Sequence, residues 1–308
     1  MTVAVIIAAK DADRTIARAV DSALAQAEAT EVIVIDDGSS DHTADAAHAA
    51  AGGSARLIVR KLPKNVGPSA ARNLALSLAT APLVCILDAD DFMLPSRLSE
   101  LTSRLGDADV IADDLLRVFE GREDAAPEQV MGIEAERRIT LADFLRANIS
   151  RPSGPRAEWG FLKPLFRRDF LQRHGLAYDE RVRLGEDFLL YANALQRGAN
   201  FRITPPCGYV AVEREGSLSH SHTPADLRAL LDGADALGAL SLDDEARRAL
   251  TAYRAHVARK VHHREVLAAR KSQGMLGALK ALSQSPATAG YVITRTLNDK
   301  LSRALTPT

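Results

Sequence analysis

Glu31-Val-Ile-Val-Ile-Asp-Asp-Gly-Ser-Ser-Asp41 is the stretch on which the fold turns. Val32 to Ile35 are four β-branched residues in a row, a run suited to a buried strand and too short for a helix. The run ends abruptly at Asp36-Asp-Gly-Ser-Ser-Asp41, a polar turn. Upstream, residues 3–9 form another apolar run of strand length, and residues 13–29 repeat Ile16, Val20, Ala23 and Leu24 at helical spacing. Downstream, the alanine-rich residues 43–51 predict a helix stopped by Gly52-Gly53. Residues 55–62 read as a strand, 69–79 as a helix after a Gly-Pro loop, and 83–87 as a strand. Strand and helix alternate throughout, which predicts an α/β fold with a doubly wound, mainly parallel sheet flanked by helices.

Beyond residue 105 the pattern loosens. Residues 106–130 predict a strand plus a variable loop, 140–148 a helix, and Ser150-Arg-Pro-Ser-Gly-Pro155 a loop. A short helix at 169–174 ends at Gly175. Gly185-Glu-Asp187 leads into an apolar helix at 188–195, stopped by Gly198, and 201–212 has strand character. From Thr223 onward the chain reads as helix, so the expected division is 1–222, with halves 1–105 and 106–222, followed by a helical extension at 223–308. Residues 251–308 carry ten Lys and Arg against two Asp and Glu. Helices at 275–282 and 291–305 mix Leu, Ile and Val with Lys and Arg. Such helices either lie on an anionic membrane surface or present a solvated basic face.

The 308 residues are 46% hydrophobic and 26% charged, the balance of a globular protein with an ordinary core. A net charge of -1 gives no electrostatic case for a nucleic-acid partner. Two scattered cysteines, Cys85 and Cys207, build neither a disulfide framework nor a zinc site. The N-terminus has no basic lead of a signal peptide, and no run approaches the roughly 20 apolar residues of a membrane span. The expected location is cytoplasmic.

Three acidic clusters carry the chemistry. Asp36-Asp-Gly-Ser-Ser-Asp41 follows a strand, at the sheet edge where open parallel sheets bind ligands. Its carboxylates can accept from a base or a ribose, or it can be a turn in which Ser40 or Asp41 caps the next helix. Asp88-Ala-Asp-Asp91 follows another strand, and carboxylates packed this densely repel one another unless a cation neutralises them. Mg²⁺ or Mn²⁺ suits such oxygen ligands and a diphosphate. Gly185-Glu-Asp187 opens a helix, where a carboxylate is either a cap or a general base. Between the first two clusters lies Asn65-Val-Gly-Pro-Ser-Ala-Ala-Arg-Asn73, a glycine-containing loop opening a helix. It matches neither the P-loop nor the dinucleotide fingerprint. Arg72 and Asn73 are placed to hold the neighbouring acidic turns.

Taken in order with Val5-Ile-Ile7, these segments resemble the inverting glycosyltransferases of family 2, which have the GT-A fold, over about two-thirds of the chain. The resemblance implies a UDP-sugar donor bound by residues 1–105, a Mn²⁺ or Mg²⁺ cofactor, and a glycan or lipid-linked acceptor in surface polysaccharide synthesis. Asp36 and Asp37 would contact the uridine, with Ala8 and Gly67 also on the donor. Asp88, Ala89 and Asp90 would be the DxD segment facing ribose and metal, and Asp90, Asp91 and His220 the metal ligands. Asp187 would be the base that activates the acceptor hydroxyl. Arg214, in the loop Glu213-Arg-Glu-Gly-Ser-Leu-Ser-His220, would meet the diphosphate. If the acceptor is lipid-linked, the basic tail implies peripheral contact with the inner membrane face; the oligomeric state is left open.

The family usually follows its first strand with Pro, an aromatic and Asn, where this chain has Ala8-Ala-Lys10. That removes a rigid turn beside the base. Trp159 is either an acceptor-stacking ring or a packing residue. A non-catalytic nucleotide-sugar-binding protein on the same fold is the alternative, and Asp187 and the DxD pair speak for the enzyme. A sugar-1-phosphate nucleotidyltransferase would need glycines near the first strand, and Val5-Ile-Ile-Ala-Ala-Lys-Asp11 has none.

Overall fold

The computed structural model describes residues 1–150, 158–214, 222–239 and 241–305. The chain forms two compact units, Met1–Ser217 and Leu218–Thr308. The first is built on one sheet of β1 (Val3–Ala9), β2 (Ala29–Asp36), β3 (Leu57–Lys61), β4 (Leu83–Ile86), β5 (Phe92–Met93), β6 (Val110–Phe119), β7 (Glu128–Gln129), β8 (Arg137–Ile139), β9 (Leu165–Arg167) and β10 (Phe201–Glu213). Its helices are α1 (Ile16–Leu24), α2 (Thr43–Ala50), α3 (Pro68–Leu78), α4 (Arg97–Arg104), α5 (Leu141–Ala147), α6 (Arg168–Arg173) and α7 (Glu186–Gln196).

The sheet order is β3-β2-β1-β4-β9-β6-β10-β5, with β7 on β6 and β8 on β10. β1, β2, β3 and β4 pair in parallel, as do β6 and β10, whereas β9 runs antiparallel between β4 and β6. Residues 3–7, 32–35 and 83–87 are buried without interruption, because helices cover both faces of a parallel sheet. The chain winds outward from β1 to β3, then crosses back to place β4 on the other side of β1. That reversal leaves a crevice at the carboxyl ends of β1 and β4, the standard ligand position in such sheets. Asp88 follows β4, and Asp36 closes β2 next door.

Two local differences from the sequence reading have clear causes. α1 begins at Ile16 rather than near residue 13, because residues 11–13 are spent on the β2 turn: Ala12 N–H donates to Thr43 Oγ1 at 2.8 Å and Asp13 N–H to Asp41 Oδ2 at 3.1 Å. β9 has only three residues, too few for any periodicity to register.

The second unit contains α8 (Pro224–Leu237), α9 (Asp244–Ser283) and α10 (Pro286–Leu305). Thr223 and Asp226 close a reciprocal capping box on α8, and Asp243 caps α9 by accepting from Ala246 N–H. Gly274, at φ 69° and ψ -158°, kinks α9 into two limbs. Val266, Ala278 and Val292 form the core between α9 and α10, with Ala281, Leu282 and Tyr291 packed around it. Among the described residues, no helix is long and apolar enough to cross a membrane.

Candidate active site

The first acidic turn is held shut by its own carboxylates. Asp37 accepts from Val66 N–H at 2.7 Å and from Gly67 N–H at 2.8 Å, so its two oxygens pin the loop that opens α3. Asp36 accepts from Ser39 N–H at 2.8 Å. Its Oδ2 is buried, lies 3.8 Å from Lys61 Nζ and takes no hydrogen bond from the described residues. Gly38 sits at φ 67°, and a Cβ there would come within 2.5 Å of the Lys64 carbonyl carbon, so the loop can close on the turn only over glycine. Asp41 accepts from Thr43 N–H and ties α2 to the β1 loop, while Ser40 donates to Asp11.

The missing rigid turn after β1 is replaced by polar contacts. Lys10 Nζ donates to Gly38 O at 3.1 Å and to Asp11 at 2.7 Å, and Asp11 N–H donates to Ser39 Oγ at 2.9 Å. The Lys10 and Ser40 hydrogen bonds hold the Asp11 carboxyl down at about 2. Ala8 lies at the crevice end of β1, paired with Ile35 of β2.

The second turn is braced from β10. Tyr209 accepts from Asp88 N–H at 3.2 Å and donates to Asp91 Oδ2 at 2.7 Å, while Val212 N–H donates to Asp91 Oδ1 at 2.9 Å. Both Asp91 oxygens are thus engaged inside the protein. Burial, together with the Asp90 and Asp88 charges, pushes the Asp91 carboxyl up to about 8. Asp90 is about one-third exposed, its side chain pairs with Arg214 and its carbonyl accepts from Arg18 at 2.9 Å. Ala89 is nearly buried beneath them.

Beneath this turn lies a fully buried ion pair, Arg97–Asp113, at 2.7 Å. Asp113 Oδ2 also accepts from the backbone N–H groups of Cys207, Gly208 and Tyr209. Arg97 donates onward to Lys163 O at 2.6 Å, and Tyr191 donates to Leu162 O at 2.8 Å. Consecutive carbonyls are therefore clamped, which fixes the direction of the Lys163 side chain.

Lys163 joins the second and third clusters. Its buried Nζ lies 2.8 Å from Asp88 Oδ2 and 2.7 Å from Asp187 Oδ2. Arg72, on α3, reaches the same carboxylates from the other side: 2.9 Å to Asp88 Oδ1, 2.9 Å to Glu186 Oε1 and 3.9 Å to Asp187 Oδ1. Burial would raise the Asp88 pKa, but Lys163 and Arg72 outweigh it and hold that carboxyl well below the usual range. Burial also works against the Lys163 charge, and Asp187 and Asp88 keep it protonated above the usual lysine range. Asp187 Oδ1 is buried and takes no hydrogen bond from the described residues. Gly185, not a carboxylate, occupies the cap position of α7, so the capping alternative for Glu186 and Asp187 is set aside.

Asp88 and Asp187 therefore share Lys163 and Arg72, Glu186 joins them on Arg72, and the Asp36–Asp37 turn connects to them through the Gly67 loop and the helix that carries Arg72. Arg214 meets Asp90. Asn73 holds the approach to α7 by exchanging hydrogen bonds with the Tyr178 backbone at 2.9 and 2.8 Å. Trp159 is buried with the Arg137 guanidinium 5.1 Å over its ring, a packing position. His220, expected as a metal ligand, lies outside the described residues, as do 215–219 of its loop. Among the described residues no group of three His, Cys, Asp or Glu is arranged to hold a metal ion by itself. Asp88 spends both oxygens on Arg72 and Lys163, which leaves the partly exposed Asp90 as the carboxylate of this turn suited to a cation shared with a ligand diphosphate, since Mg²⁺-type sites use one or two carboxylates plus phosphates.

Lys163 and the Arg97–Asp113 pair are absent from the sequence reading. A lone lysine within the apolar stretch Trp159-Gly-Phe-Leu-Lys-Pro-Leu-Phe166 was the available signal, since an isolated buried charge needs a partner.

A mixed sheet with carboxylates at its switch point, facing an acidic helix start, defines a GT-A glycosyltransferase. The chain belongs to glycosyl transferase family 2, whose family model matches residues 4–170. It is similar to the succinoglycan biosynthesis protein ExoU of Rhizobium meliloti (strain 1021), 44% identical over 303 residues, covering 98% of this chain and 88% of that protein. The succinoglycan biosynthesis protein ExoO of the same organism is 34% identical over 291 residues, covering 91% and 77%. In fold it is similar to S. aureus TarS 1–349 in complex with UDP-GlcNAc, with a TM-score of 0.64 at 21% identity, covering 94% of this chain and 82% of that one. The mannosyltransferase PcManGT of Pyrobaculum calidifontis, in complex with GDP-Man and Mn²⁺, aligns with a TM-score of 0.58 at 20% identity, covering 96% and 79%.

Proposed function

We propose that this glycosyltransferase moves a hexose from a UDP-sugar, with inversion, onto a glycan or lipid-linked acceptor in the assembly of an extracellular polysaccharide of the succinoglycan kind. The observation that carries this is Lys163, whose single ammonium holds Asp88 and Asp187 together. A donor-side carboxylate and a candidate base thereby belong to one site. The names of the ExoU and ExoO relatives support the biosynthetic setting, and the UDP-GlcNAc complex of TarS supports the donor class.

In this reading the Asp36 turn and the Gly67 loop receive the uridine, and Asp88 and Ala89 flank the ribose. Asp187 takes the proton of the acceptor hydroxyl as that oxygen attacks the anomeric carbon from the side opposite the departing UDP. The sugar–phosphate bond breaks as the new glycosidic bond forms, so configuration inverts. Lys163 and Arg72 orient Asp187, and their burial excludes water that would compete as acceptor. Mn²⁺ or Mg²⁺, held by Asp90 with Asp88 nearby, would supply charge neutralisation at the leaving diphosphate.

Calorimetric titration of UDP with and without Mn²⁺, on the wild type and Asp90→Ala, tests the assignment. Metal-dependent binding that the substitution abolishes supports it; absence of UDP binding under both conditions refutes donor and metal together.

A further inference from the structure

Gly274 does more than bend α9. The limb beyond it carries Met275, Leu276 and Leu279 at 60%, 82% and 56% exposure, and α10 adds Ile293 at 50%. Leu276 and Leu279 are one helical turn apart, as are Met275 and Leu279, so the three form one ridge. The neighbouring stripe of the same limb is already occupied: Ala278, Ala281 and Leu282 pack with Val266, Val292 and Tyr291. The apolar surface of this limb is thus wider than the stripe that is covered among the described residues.

The surrounding charge has a single sign. No Asp or Glu occurs from Val266 to Thr296, whereas Arg270, Lys271, Lys280 and Arg295 all lie in that span and are exposed. Exposed Leu and Met beside an excess of exposed cations are the marks of a helix that lies in a lipid headgroup layer. A two-fold contact through this ridge would bring the cations of one copy against those of the other, which is unfavourable.

We propose that the ridge of Met275, Leu276, Leu279 and Ile293 docks the second unit onto an anionic phospholipid bilayer, its apolar side chains entering the acyl boundary and its flanking cations meeting lipid phosphates. The proposal stands independently of the sugar-transfer chemistry, which resides in the first unit.

The test uses the full chain and sedimentation with phosphatidylcholine vesicles, with and without phosphatidylglycerol. The wild type is expected to sediment only with the anionic vesicles and to be released by salt. Leu276→Asp/Leu279→Asp, at exposed positions, should weaken this partition about tenfold or more, and Lys271→Glu/Lys280→Glu by about tenfold. Circular dichroism and UDP-sugar hydrolysis on the same samples should be unchanged, so failure of either reading leaves the other standing. The proposal is overturned if the wild type ignores anionic vesicles, or if the leucine variant binds them equally well. It is also overturned if that variant alters only the oligomeric state in analytical ultracentrifugation.

Discussion

Replacing Lys163 by methionine removes one charge and little volume, and the site shows what should follow. The ammonium lies within 3 Å of two carboxylate oxygens, one on Asp88 and one on Asp187, and is itself buried. Without it, Asp88, Glu186 and Asp187 are left with the Arg72 guanidinium alone. Two unit charges about 5 Å apart repel by roughly 3 kcal/mol at an effective dielectric of about 20. A buried carboxylate stripped of its partner costs about 3–5 kcal/mol, and the lower end applies here because Arg72 remains. A loss of about 3 kcal/mol in the placement of the proposed base corresponds to roughly a hundredfold drop in rate.

Donor hydrolysis and transfer at saturating donor, measured across pH alongside a thermal melt, give the reading. The expected result is a folded protein of lowered Tm, with kcat down about a hundredfold. KM for the donor should move less than kcat, since the proposed uridine end of the crevice is untouched. A Lys163→Met protein that folds and turns over at the wild-type rate would falsify the claim that this lysine organises the base.

Three more outcomes follow from the same geometry. Asp91→Asn should stay within about 1 kcal/mol of wild type near pH 7, because an amide replaces a carboxyl raised to about 8, whereas Asp91→Ala leaves Val212 N–H and Tyr209 unpaired at about 2–3 kcal/mol. A folded-state value above the unfolded one contributes stability that is full below about pH 4 and is lost as pH rises toward 8, so Asp91→Asn should show a flatter stability profile over that interval in urea titrations. Gly38→Ala should lower stability by about 1–3 kcal/mol and weaken UDP binding in calorimetry, since its methyl meets the Lys64 backbone; unchanged affinity would detach this turn from the donor site. Arg97→Met should cost about 3–5 kcal/mol by stranding Asp113, and Arg97→Met/Asp113→Asn should recover part of that; additive losses in chemical denaturation would argue against coupling.

The parts legible in the sequence were those with a period or a local break. β1, β2 and β4 read as strands because both their faces are buried, and the carboxylates at Asp36 and Asp88 stood out because each ends such a run. β9 and the clamped Leu162–Lys163 segment carry no period at all, since three extended residues satisfy any pattern. Arg97 and Asp113 lie 16 residues apart and meet only because β6 passes over the start of α4. Their pairing is a product of topology, and so is the convergence of Asp88 with Asp187, nearly one hundred residues away along the chain. The acidic residues announced chemistry, and Arg72 was legible as their holder because it opens a helix between two acidic turns; Lys163 was not, because its partners lie far away along the chain.

That asymmetry also separates two kinds of cation in the site. Arg72 and Lys163 are buried, with side chains 8% and 7% exposed, and moving either would strand carboxylates out of reach of water. They are scaffold charges whose worth lies in not moving. Arg214 pairs with Asp90 while both side chains are 36% exposed, and an ion pair so accessible exchanges partners at small cost. In the proposed reaction the arriving diphosphate therefore competes for Arg214 and not for Lys163. Releasing Arg214 also frees the Asp90 carboxylate, so recognition of the leaving group and readiness of the donor-side acid are properties of one exchangeable pair, while the geometry of attack rests on the two cations that stay fixed.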